Sequence, residues 1–420
     1  MTINKNNIHE GYKDSAVGII PQEWEVKYLG DLLVRLANGL TYDVSVSSGY
    51  PVSRIETISS GEINYAKVGY VDNITRCEFY KMLKGDILYS HINSLAHVGK
   101  VAYYDGKQDL YHGMNLLLLR ANNKVDSKYL YAYLLTSQAK HIAQVIAKPA
   151  VNQASISIND IRKIKFPVPP IGEQKKIAEI LVVWDEAIEK QSRLVEKLEL
   201  RKRALMQRLL TGRTRLPGFN TPWQKVKLGE IGKFDKGAGV PKDKITAEGC
   251  KAITYGEIYT KYDFVIKKFA SYIDGNTAKS SKKITSGAIL FAGSGETLED
   301  IGKCVAFIDE GVAYAGGDII IFTPNTEVNS LVLSYCLNSS VVNSQKRKYG
   351  QGHSVVHIYQ KDLARLEFEL PSLSEQKAIA EVLTTADDEI ATHRKKLDDL
   401  RKQKRGLMQQ LLTGKTRVKI

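Results

Sequence analysis

One stretch of 43 residues occurs twice in this chain, and few folds accommodate such a pair. The first copy runs from Glu173 to Arg215 and the second from Glu375 to Arg417; they align without a gap at an offset of 202, with 21 of the 43 positions identical. In the first copy Ile177, Leu181, Trp184, Ile188, Gln191, Val195, Leu198, Lys202, Leu205 and Leu209 follow a 4-3-4-3 rhythm. In the second, Ile379, Leu383, Ala386, Ile390, His393, Leu397, Leu400, Lys404, Leu407 and Leu411 follow the same rhythm, with the polar breaks at the same two places. Spacing of this kind is the seam of a coiled coil. No proline interrupts either copy, and each ends in Thr-Gly (Thr211-Gly212, Thr413-Gly414), a C-terminal stop signal. A helix of about 39 residues would be about 58 Å long. It cannot bury its stripe alone, so the simplest partner of each copy is its twin. Ile180, Leu210, Val382 and Leu412 lie off the seam at matching places. Two readings of them stand open: they rest on flanking domains, or further protein subunits dock there.

A length of 420 residues predicts two or three domains, and 43% hydrophobic with 25% charged residues is the composition of a folded chain. The net charge of +14 points to a polyanionic partner, with nucleic acid first. Cys77, Cys250, Cys304 and Cys336 are scattered without a Cys-x-x-Cys pair, as expected in a reducing compartment with no thiolate zinc site. The polar start MTINKNNIHEGYKDSAVG does not read as a secretory signal, and no apolar run reaches the ~20 residues of a membrane span. A cytoplasmic location is the expectation.

The chain divides as 1–170, a first globular region; 171–215, a first long helix; 216–371, a second globular region; and 372–420, a second long helix. In the first region GDILYS, GKVAYYDG and NLLLLRA read as strands, followed by one helix over 127–147 and a proline-rich boundary at Pro167, Pro169 and Pro170. The second region has the same outline: Trp223, Leu228 and Gly229 echo Trp24, Leu29 and Gly30, and SGAILFAGSG echoes GDILYS. Neither shows the strand-helix alternation of a doubly wound sheet, so each is read as an α+β module. The period of about 200 residues marks a duplication, not a solenoid array.

No catalytic constellation emerges. Gly414-Lys415-Thr416 lacks the glycine a phosphate-binding loop needs five residues earlier, where Gln409 stands. The loop at 292–302 fits neither a dinucleotide fingerprint nor a nucleophile elbow. Glu25-Val-Lys27 is too short a match to signal a nuclease, and His91 and His97 lack partners at metal-ligand spacing. The expectation is no catalytic residue, no metal and no cofactor in this chain. What the sequence does offer is polar loops between strands. In the first region these carry Arg54, then Ser90, His91, Asn93, Ser94, His97 and Lys100, and finally Lys148, Asn152 and Gln153. In the second they carry Lys242 and Lys244, then Ser294, Glu296, Thr297 and Lys303, and the run from Lys346 through Lys348, Tyr349, Gln351, His353 and Ser354. Arginine and lysine bond guanine edges and phosphates, and asparagine and glutamine bond adenine. Ordinary solvated surface is the other reading of such loops. The clusters Arg201-Lys202-Arg203 and Lys402 to Arg405 face either phosphates or water.

The opening Gly18-Ile-Ile-Pro21 with Trp24 and Leu29-Gly30, the segments FPVPP and FELPS, the Glu-Gln-Lys starts at Glu173 and Glu375, and the Leu-Met-Gln-x-Leu-Leu-Thr-Gly ends at Leu205 and Leu407 resemble the specificity subunit of type I restriction-modification enzymes. The likeness spans essentially the whole chain. It implies two target recognition domains, each reading half of a split double-stranded DNA site, and an antiparallel coiled coil as ruler between them. It implies two methyltransferase subunits docked around that coil and motor-nuclease subunits joining for cleavage. S-adenosylmethionine, ATP and Mg2+ would then be bound by those partners. Two other readings stay open: the recognition subunit of another bipartite restriction or methylation system, and a coiled-coil scaffold that binds protein instead of DNA.

Overall fold

A computed structural model of the chain describes residues 9–73, 78–150, 153–325, 327–352 and 355–419. Cys77 lies outside them. The fold is α+β and divides into two compact units, Met1–Ser192 with Lys395–Ile420, and Arg193–Arg394. Two helices of 39 residues, Ile171–Leu209 and Leu373–Leu411, each contribute one stretch to each unit.

In the first unit a four-stranded antiparallel sheet is ordered Leu33–Asn38, Leu117–Ala121, Ile87–Tyr89, Val101–Tyr103. Leu118 stands opposite both Ala37 and Leu88, and Leu88 opposite Ala102. Leu116 to Leu119 form an unbroken apolar run because both faces of this sheet are covered. Leu117 and Leu119 enter a core with Trp24, Tyr129 and Tyr133, while Leu116 and Leu118 face a second cluster with Ile58, Met82 and Leu110. The segment 127–147 is two helices, Ser127–Leu134 and Ser137–Ile146, not one. Thr136 breaks it: its Oγ1 accepts the Ala139 amide at 3.2 Å and starts a new helix as N-cap.

The second unit repeats the sheet as Gly232–Lys236, Ile319–Pro324, Ile289–Ala292, Cys304–Ala306. Its faces again divide by alternation, Ile289 and Phe291 toward one core and Leu290 and Ala292 toward another. Helices Ser330–Leu337 and Ser340–Tyr349 repeat the capped break, with Asn329 and Ser339 as N-caps. The units differ in what lies beyond the sheet. The second carries a five-stranded mixed sheet with one parallel pair, Cys250–Ile253 beside Ala313–Ala315, where the first has the ribbon Tyr50–Val52 with Gly69–Val71.

Within each unit the two long helices run antiparallel. In the first, Glu173 pairs with Arg417 and Asp185 with Lys404; in the second, Glu375 pairs with Arg215 and Asp387 with Lys202. Of the seam residues Ile177, Leu181, Val195, Leu198, Leu209, Ile379, Leu383, Ile390, Leu397 and Leu411 are buried, and Trp184, Ile188, Leu205, Leu400 and Leu407 half-buried. The off-seam residues resolve the alternative left open by sequence. Ile180 and Leu412 pack into the core of the first unit, and Leu210 and Val382 into that of the second. Each thus packs on the unit that holds it, Leu210 and Leu412 buried and Ile180 and Val382 half-buried. The last turn of each long helix thus completes a domain encoded elsewhere in the chain.

Candidate nucleic-acid interface

The same joint anchors each domain to its helices. Trp24 Nε1 donates to Glu173 Oε2 at 3.0 Å, and Arg417 grips the same carboxylate through Nε at 2.7 Å and Nη2 at 3.0 Å. In the second unit Trp223 Nε1 donates to Glu375 at 3.2 Å, with Arg215 Nε and Nη2 at 2.6 and 2.7 Å. Both glutamates are fully buried, and each hydrogen-bonded carboxylate holds its arginine more firmly protonated than usual. Gly414 sits beside this joint because a Cβ there would meet Pro21 Cδ at 2.3 Å and because its φ is +72°.

From that frame the loops extend. In the first unit the connection between Ile87–Tyr89 and Val101–Tyr103 holds Ser90, His91, Asn93, Ser94, His97 and Lys100. A short pairing, Ser155 with Ile92 and Ala154 with Asn93, brings Lys148 and Gln153 to the same edge. In the second unit the pairing Ser294 with His357 and Gly295 with Val356 joins the loop of Ser294, Glu296, Thr297 and Lys303 to Lys348, Tyr349 and Gln351. Ser294 and Ile92 lie 202 positions apart, as do His357 and Ser155.

Not every candidate is placed to reach a ligand. Ser90 and His91 are 1% and 7% exposed, because they continue a strand covered on both faces. Burial pushes the His91 imidazole down to about 4, so it stays neutral at pH 7. Lys100 donates to Ser59 O at 2.7 Å, and Lys303 donates to Tyr262 O at 2.8 Å, so both brace loops through carbonyls. The run from Lys346 is helical through Tyr349, not a loop: Lys346, Lys348 and Tyr349 lie in the helix Ser340–Tyr349, and Lys346, 1% exposed, donates to Gly302 O at 2.8 Å. Arg54 flanks a short 3-10 turn at Ile55–Ile58, and Lys242 and Lys244 lie in a second 3-10 turn, Lys242–Lys244, that leads to the five-stranded sheet. Asn152, His353 and Ser354 lie outside the described residues.

The exposed candidates at the loop edge are Ser94, His97, Lys148 and Gln153 in one unit, and Glu296, Thr297, Lys348 and Gln351 in the other. His357 was missed by sequence reasoning. It is exposed and its Nδ1 lies 2.9 Å from Ser294 Oγ; carrying the 202-residue offset through the loops would have found it. An open cavity of about 420 Å3 adjoins it, lined by Tyr255, Tyr259, Ser294, Glu296, Thr297 and Asp300. Such side chains present donors and acceptors suited to base edges. Among the described residues no group of three or more His, Cys, Asp or Glu side chains stands together as a metal site. No helix among them is long and apolar enough to cross a membrane.

Comparison with known proteins gives this architecture a place. A family model described as the type I restriction modification DNA specificity domain matches twice, over residues 21–200 and 220–402. A putative type I restriction enzyme MjaX specificity subunit from Methanocaldococcus jannaschii is 36% identical over 433 residues, covering 98% of this chain and 97% of its own. The MjaVIII specificity subunit of the same organism is 23% identical over 98% of this chain and 97% of its own. The fold is similar to the type I restriction-modification S subunit from M. genitalium, with a TM-score of 0.58 at 18% identity over 98% of both chains. A structure titled for complex assembly and conformational transition of the type I R-M system gives 0.57 at 16% identity, over 94% of this chain and 99% of that one. With the specificity domain matched once in each half, and a 36% identical specificity subunit matched over nearly the whole of both chains, the chain belongs to the specificity subunits of type I restriction-modification enzymes.

Proposed function

We propose that this subunit reads a split, asymmetric DNA sequence, one half with each unit, and that the paired helices set the distance between the halves. The observation that carries this reading is a single architecture presented twice with unlike exposed side chains. Ser94, His97, Lys148 and Gln153 stand at one loop edge, and Glu296, Thr297, Lys348 and Gln351 at its counterpart. Equal frames with unequal readers call for unequal half-sites. The net charge of +14 supplies the phosphate attraction that first holds the duplex, and tethering raises the effective concentration of the second reader.

In this reading the chain carries recognition and not catalysis. Two methyltransferase subunits dock around the helices and motor-nuclease subunits join them. S-adenosylmethionine, ATP and Mg2+ belong to those partners. The test is to insert four residues into both long helices of the subunit within its assembled complex. About 6 Å of added helix corresponds to nearly two base-pair rises. Mapping methylated bases should then show the same half-sites with the spacer longer by about two base pairs. An unchanged spacer would refute the ruler.

A further inference from the structure

We propose that the Glu-Gln dipeptide opening each long helix, Glu173-Gln174 and Glu375-Gln376, is a positioning device that restricts the subunit to one spacer length. This rests on the reading of the chain as a split-site specificity subunit.

The glutamates take the tryptophan and arginine bonds described above. The glutamines make a second, independent tie. Gln174 Oε1 accepts the Asp126 amide at 2.8 Å, and its Nε2 donates to Pro169 O at 2.8 Å and Lys124 O at 3.2 Å. Asp126 is the residue that caps the helix Ser127–Leu134. In the second unit Gln376 Oε1 accepts the Asn329 amide at 2.9 Å, and Nε2 donates to Pro371 O at 2.9 Å; Asn329 again is the cap of the equivalent helix. Gln174 and Gln376 are 1% and 3% exposed. One helical turn therefore holds the opening tryptophan, the capped helix, the proline-rich strand end and the tail of the other long helix. These bonds are buried or part-buried and directional, and three of those at each glutamate involve its charge.

Such a turn fixes the angle at which a recognition domain leaves its helices. That angle matters more than ordinary stability. On a rigid arm of about 20 Å, a swivel of roughly 10° moves the tip by about 3.4 Å, one base-pair rise along the duplex. The joint is repeated in both units with the same four residue types, although the loops they carry have diverged. A device that sets geometry must match in the two halves; a device that reads bases must not.

The test uses the complete complex of this chain with its methyltransferase and motor subunits, with methylated bases mapped across host DNA. Glu173→Gln removes the charge, and Arg417→Lys keeps it but loses the two-pronged grip. The expected result for each is methylation at the wild-type half-site sequences with added spacers one base pair shorter and longer, at a tenth or more of wild-type frequency. Glu375→Gln should broaden the spacer in the same way. A purely structural joint would lower methylation at every site without adding spacers. That outcome, or loss of methylation in all three variants with no new spacer, overturns the proposal. Wild-type methylation at no split site would instead overturn the reading it rests on.

Discussion

Lys404 reaches across the paired helices to Asp185, and Lys202 repeats that contact to Asp387 through the 202-residue offset. Each lysine is one of the two polar breaks in its copy of the apolar seam, and their surroundings set their worth. Lys404 and Asp185 side chains are 15% and 58% exposed, against 9% and 21% for Lys202 and Asp387. Lys202 also lies 4.2 Å from the centroid of the Phe264 ring, and the Tyr335 hydroxyl donates to Asp387. A pair with an exposed partner contributes about 0–1 kcal/mol. Breaking a buried pair costs more, here about 2–3 kcal/mol, since Asp387 keeps Tyr335 and some water. Lys404→Met should therefore leave the unfolding midpoint nearly unchanged, while Lys202→Met lowers it clearly. Equal effects in denaturant titrations would show that the second network adds nothing.

Leu412 is fully buried in the core that contains Trp24, Leu29 and Phe166, although it follows the second globular region in sequence. Leu412→Ala should destabilise the first unit by about 3 kcal/mol, the cost of a lost transfer term plus a cavity. Hydrogen exchange separates this from a global effect. Protection should fall in the strand Leu117–Ala121 and hold in Ile319–Pro324. Equal loss in both would contradict the division of the cores.

The helices were legible because leucine spacing and repetition are local signals. The Glu-Gln starts were visible as a repeat, but their role was not: Trp24 and Arg417 lie 149 and 244 positions from Glu173, and nothing local announces such bonds. The loops were located by their turn residues, yet exposure within them was not readable. Ser90 and His91 look like surface polar residues and are buried because the sheet continues through them. Lys346 looked like part of a basic loop and instead fills the interior beside Gly302, whose added Cβ would meet Lys346 Cδ at 3.0 Å. The five-stranded sheet of the second unit escaped because its strands are two to four residues long, too short for alternation to show.

Gly406 interrupts the second long helix where the first has Ala204. The position is exposed, and an added Cβ would meet nothing within 4 Å. Glycine in a helix interior is less favourable than alanine by about 1 kcal/mol. Gly406→Ala should raise stability by that amount in chemical denaturation, with no change in the bases methylated by the complex. A loss of stability would mean that the helix bends there.

Acid should weaken the first unit. His112 is fully buried with Nε2 2.9 Å from Leu116 O and Nδ1 without a hydrogen-bond partner. Burial, aided by the Arg35 charge, pushes its imidazole down to about 4, and burial does the same to His91. A base whose pKa is lower folded than unfolded binds more protons in the unfolded chain between the two values. Stability contributed by neutral His112 is thus intact above pH 6.5, falls as pH drops from 6.5 toward 4, and levels off below. At 1.36 kcal/mol per unit the full loss for His112 is up to about 3 kcal/mol. His112→Gln, which keeps a donor for Leu116 O and cannot take up a proton, should flatten this dependence. Urea titrations at pH 7.5, 6 and 5 measure it, and a slope unchanged by the substitution would remove His112 as its source.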